Sequence, residues 1–175
     1  GLVNNIYYFI DSLNYNSVNV KVDWRIGFCG YSDVAITYLD FTNDKQLLKE
    51  KLSEIKTSKI NEFTPGAIDF AISHFNWREK SSKFMLVFTD ENINGGRTRG
   101  YKNISKYGKV EFADLLEKIE DSRVWLFYYG VPCPYYKQFQ NLPKANYNDI
   151  IGKDFTKVNF MNLLKSLGKT VSYST

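Results

Sequence analysis

Histidine is nearly missing from this chain, with one residue, His74, among 175. A single imidazole excludes His-rich zinc patterns and His-based catalytic motifs. Cysteine is scarce too. Cys29 and Cys133 lie far apart and form no CxxC pair. They read as two buried or half-buried thiols, which leans towards a reducing, cytoplasmic setting. No apolar run is long enough for a membrane span. P-loop, GxGxxG and GxSxG strings are absent, which removes the common nucleotide-binding and serine-hydrolase classes. Charge of one sign is not concentrated either. The 23 Lys and Arg against 19 Asp and Glu leave a net charge of +4, too diffuse to specify nucleic acid or an acidic membrane surface.

What is present is a globular composition, 43% hydrophobic and 17% aromatic, with no repeat and no dividing linker. A single domain over residues 1–175 is expected. "VNVKVDWRIGFCGYSD" alternates at Val18, Val20, Val22 and Trp24 and turns apolar through Ile26, Phe28 and Cys29, the pattern of a strand entering a sheet. "NDKQLLKEKLSEI" puts Leu47, Leu48, Leu52 and Ile55 on one helical face. "TPGAIDFAISHF" predicts a helix with Pro65 in its first turn. "KFMLVFTDE" holds five consecutive apolar residues, Phe84 to Phe88, as a central parallel strand covered on both faces would. A helix over "VEFADLLEKIED", a strand over "RVWLFYYGV" and a closing helix over "VNFMNLLKSLGKTV" follow. The alternation predicts an α/β fold: a Rossmann-like, doubly wound, mostly parallel sheet flanked by helices. Such sheets bind ligands at the carboxyl ends of their strands. That singles out Asp90 first and Asp33 second. The pairs Tyr128–Tyr129 and Tyr135–Tyr136 read as core or edge packing rather than a contact patch.

"RIGFCGYSD", "LDFT", "TPGAIDFA" and "FMLVFTDE", in that order and spacing, resemble a von Willebrand factor type A domain. The family has a strand of the form "rvGlvtFsd", a Thr-rich turn into a "GxALdfA" helix, and a strand ending "TDG". The resemblance implies a protein-binding module. It also implies a metal-ion-dependent adhesion site, in which Mg²⁺ takes hydroxyl and carboxylate oxygens and leaves one position for an acidic residue of the partner. On this resemblance Asp90 is the third-loop metal ligand, although Glu91 stands where the family commonly has glycine. Thr64 is the nearest match to the second-loop threonine if the turn is one residue shorter than the family's. Ungapped alignment from Ala67 puts Glu62 there instead, so both stay candidates. The first loop, Asp-x-Ser-x-Ser, occurs nowhere in the sequence.

"GLVNNIYYFIDSLN" bears on that loop. As a strand it would deliver Asp11 to a damaged first loop, but "YNSVN" is too short for the crossover helix that must follow. As a helix it lines up Leu2, Ile6, Phe9, Ile10 and Leu13 on one face. The helix is the expectation, with Asp11 on solvated surface and the first strand and first metal loop outside this sequence, either upstream of Gly1 or missing. Three functions follow: a Mg²⁺-assisted docking module, a degenerate metal-free scaffold in a larger assembly, and, least supported, a metal-dependent hydrolase using Asp90. The long stretch "ENINGGRTRGYKNISKYGK" would border the site.

Overall fold

A computed structural model describes residues 2–20, 23–31, 36–55, 64–90, 92, 111–150, 154–159 and 162–163. Helix α1, Leu2–Val20, opens the order. Strands β1, Ile26–Tyr31, and β2, Ile36–Thr42, come next, then helices α2, Lys45–Ser53, and α3, Thr64–His74. Strand β3, Phe84–Thr89, helix α4, Phe112–Asp121, and strand β4, Trp125–Gly130, follow. A 3-10 helix at Tyr136–Asn141, strand β5 at Ala145–Asp149, and a short 3-10 turn at Phe155–Lys157 complete the described elements.

β3, β4 and β5 form a parallel three-stranded sheet in that order, with Thr89 opposite Gly130 and Gly130 opposite Asp149. Alternation sorts its side chains to two sides. Met85, Val87, Leu126 and Tyr128 pack with Ile68 of α3 and with Phe112, Leu115 and Ile119 of α4. Phe84, Leu86, Trp125, Phe127 and Tyr129 pack with Phe9 and Leu13 of α1. The sheet is therefore covered on both sides, which is why its first two strands read as continuous apolar runs.

α1 is the expected helix. Phe9 and Ile10 are buried, and Ile10 joins Leu48 and Leu52 of α2 in a third apolar cluster. Asp11 is not merely solvated. It accepts from Lys45 Nζ at 3.1 Å and Lys49 Nζ at 3.2 Å and so ties α1 to α2. α2 starts where Asp44 caps it, its carboxylate accepting from the N–H of Gln46 and Leu47.

Three readings need correction. The alternation at Val18 and Val20 belongs to the last turn of α1, not to a strand. β-branched alternation is a weak signal once a helix is already propagating. The strand that does form, β1, pairs antiparallel with β2 rather than parallel with a neighbour. β2 and β5 escaped the pattern because both are half-exposed, with mixed polarity in "ITYLDFT" and "ANYND". Of the expected closing helix only residues 162–163 are described as helical, and the remainder lies outside the described residues. Of the paired tyrosines, Tyr128 and Tyr136 are fully buried, while Tyr129 and Tyr135 are half-buried and pack against the core.

Candidate functional site

Three chain ends converge at the carboxyl edge of β3. β1 delivers Tyr31, α3 begins with Thr64, and β3 ends with Thr89, followed directly by Asp90. Thr64 is 0% exposed and Thr89 1%. The Thr64 hydroxyl donates to Thr89 Oγ1 at 2.8 Å. The Tyr31 hydroxyl lies 3.1 Å from Thr64 Oγ1 and donates to the main-chain oxygen of Phe88 at 2.9 Å. Three hydroxyls thus lock the start of a helix to the ends of two strands. Buried hydroxyls need partners, and here Thr64 donates to Thr89 while the Phe88 oxygen takes the Tyr31 proton.

Gly130 closes this edge from the β4 side. A Cβ there would sit 2.7 Å from Thr89 Cγ2 and 2.6 Å from Tyr128 Cζ. Only hydrogen fits, so glycine is required for packing. Tyr128 itself donates to the main-chain oxygen of Val131 at 3.1 Å. Burial pushes its phenol far above the ordinary range, with the neighbouring Tyr136 and Tyr147 adding to the shift. On the opposite side of the sheet Phe88 stacks on Tyr129 at 5.5 Å, and Phe155 meets Phe88 edge-on at 6.1 Å. The edge is therefore stiff: hydroxyl hydrogen bonds on one face, stacked rings on the other.

Asp90 is half-buried at the end of β3, next to Thr89. The structure thus brings Thr64 and the strand that carries Asp90 to one edge. Glu62, Asp33, Glu91 and the stretch around residues 93–109 lie outside the described residues. Tyr31 and Thr89 were not singled out in the sequence. A signal existed for Tyr31, a hydroxyl-bearing ring where the family strand has phenylalanine. For Thr89 the signal was the "TD" pair itself.

The donor set can be tested against Mg²⁺, which wants about six hard oxygens in an octahedron. One half-buried carboxylate and one hydroxyl, the latter turned inward onto Thr89 and Tyr31, do not make such a set. Among the described residues no group of three or more His, Cys, Asp or Glu could hold a metal ion. The described residues by themselves do not fit the ion. Nucleophilic chemistry finds little support in Cys29, whose thiol burial pushes up to about 12. Among the described residues no helix is long and apolar enough to cross a membrane.

The family model for the von Willebrand factor type A domain matches residues 2–169 of the chain. No curated protein matches it.

Proposed function

From the chain's membership of the von Willebrand factor type A domain family, we propose that it docks a protein partner at the carboxyl edge around Asp90, without a bridging Mg²⁺. Domains of this family are in general protein-interaction modules, and a parallel sheet flanked by helices is their common architecture. One observation carries the metal-free reading. Thr64 Oγ1, the hydroxyl that would face a cation, is fully buried and donates to Thr89. Its lone pairs are not used by that bond, but with Thr64 wholly buried and the Tyr31 hydroxyl 3.1 Å away an ion has no open approach to them. Asp90 then serves as a contact carboxylate beside a rigid hydroxyl lock. A rigid edge supports docking because little order is lost on binding.

The test is a thermal melt of the chain and of Asp90→Ala, in EDTA and in millimolar Mg²⁺. An ion held only by the folded state raises the melting temperature by mass action. The proposal expects matching melts in both buffers. A rise of about 3 °C or more in the parent, absent from Asp90→Ala, would replace it with ion-assisted docking. The contact edge is read separately, with a photo-crosslinking residue at Asp90 and, as control, at Lys144 beyond the other end of the sheet. Partner adducts in EDTA are expected at Asp90. Adducts at Lys144 alone would overturn the placement.

A further inference from the structure

The end of α4, the turn into β4 and the segment before β5 line an open-mouthed cleft. It lies at the amino ends of β4 and β5, the opposite end of the sheet from Asp90. Its volume is about 340 Å³, and Ile119, Val124, Leu142 and Pro143 give it apolar walls. Ile119 and Val124 are each 2% exposed. The Lys144 oxygen accepts from the Leu126 N–H at 2.9 Å and holds the segment before β5 against β4. The walls are therefore set by the core and stand ready before anything binds. At about 30 Å³ for each water-sized volume, the cleft has room for roughly ten non-hydrogen atoms.

Glu120, Arg123 and Lys144 are the charged residues along this cleft, and all three are exposed. The Lys144 ammonium is taken up over the Trp125 ring, 5.9 Å from its centroid. Among the described residues, the side chains of Glu120 and Arg123 have no hydrogen-bond or ion-pair partner, not even each other. Arg123 is also the one non-glycine residue with positive φ among the described residues, at 56°. Its N–H donates to the Glu120 oxygen at 3.0 Å and closes the last turn of α4. Such a left-handed helix end favours glycine, and a Cβ there costs stability. Strain kept at this position points to a use for the side chain it carries. The free carbonyls at the end of α4 make the same corner negative, and Glu120 adds to that. The cleft thus sets a cationic fork and an anionic corner beside apolar walls.

We propose that this cleft binds a free α-amino acid with an apolar side chain. Arg123 takes the carboxylate, which its planar fork of donors suits. Glu120 and the negative end of α4 take the ammonium. The side chain enters between Ile119, Val124, Leu142 and Pro143, and its burial supplies affinity. A purely anionic ligand would bring its charge up to Glu120, and a purely cationic one would bring its charge up to Arg123. A zwitterion meets both with opposite charge. Leucine, with about nine non-hydrogen atoms, fits the volume. The cleft is independent of the docking edge around Asp90, which lies at the other end of the strands.

The test titrates the whole chain with L-leucine and follows the methyl NMR signals of Ile119 and Val124. Their shifts should saturate with a midpoint below about 10 mM, a modest efficiency for a ligand of this size. Two analogues each lack one charge: 4-methylpentanoate has no ammonium and 3-methylbutylamine no carboxylate. Both should bind about five-fold more weakly or worse. Arg123→Gly relieves the left-handed backbone, so it should melt no lower than the parent. It should nevertheless weaken L-leucine by about five-fold or more while leaving 3-methylbutylamine no weaker. Arg123→Gln removes the charge and keeps a Cβ, and should weaken L-leucine in the same way. Absence of saturable shifts at Ile119 and Val124, equal binding of the three compounds, or unchanged L-leucine affinity in the two variants would overturn the proposal.

Discussion

The first residue of α3, Thr64, is hydrogen-bonded through its hydroxyl to Thr89, the last residue of β3, 25 positions later in the chain. The bond is buried at both ends and fixes where α3 starts relative to the edge that carries Asp90. Thr64→Val keeps the shape and removes the donor. It should lower stability by about 1–3 kcal/mol, because the buried Thr89 oxygen loses that donor. The double variant with Thr89→Val should lose less than the two single losses added together. Urea melts of the four proteins read this directly.

α1 and α2 are joined by charge. Hydrogen bonds from Lys45 and then Lys49 hold the Asp11 carboxyl below its ordinary value of 3.8. With the folded value depressed, the unfolded chain takes up the proton first as pH falls. The contribution is therefore full above the ordinary value and is lost as pH drops through the folded one. Asp11→Asn should lower the melting temperature near neutral pH, and the gap to the parent should close below about pH 4. The Asp11 side chain is 44% exposed, so salt should shrink the gap as well.

A second ion pair ties α3 to α4. Lys118 donates to the carboxylate of Asp69, which is only 7% exposed, and to Ser73 Oγ at 2.6 Å. Removing the cation leaves a nearly buried carboxylate without that partner. Lys118→Met should destabilise by about 1–3 kcal/mol. Asp69→Asn in the Lys118→Met background should recover part of the loss. Chemical denaturation of both variants checks the order.

Gly130→Ala drives a methyl group against Thr89 Cγ2 and the Tyr128 ring. Overpacking of this kind costs about 1–3 kcal/mol. Because the clash falls on Thr89, the loss should not add fully to that of Thr64→Val. A surface substitution such as Lys144→Ala, at an exposed position before β5, should leave the melt within about 0.5 kcal/mol of the parent.

Some of this protein was settled by its amino-acid order alone. The apolar run from Phe84 to Phe88 dictates a strand buried on both faces, and the spacing of Leu2, Ile6, Phe9, Ile10 and Leu13 dictates a helix. Both are local periodicities, repeated often enough to outweigh any single residue. The end of a buried strand singled out Asp90, and the resemblance of "TPGAIDFA" to the family's helix singled out Thr64. Tertiary structure decided what periodicity does not encode. It carried α1 through Val18 and Val20 despite their strand-like alternation, and folded "ITYLDFT" back on β1, leaving Tyr38 53% exposed. Asp11 gained its two lysines, and Tyr31 met Thr64 and Phe88, only because distant elements packed there. Periodicity reports how buried a residue's own surroundings are. Which distant partner fills those surroundings depends on how whole helices and strands share one core.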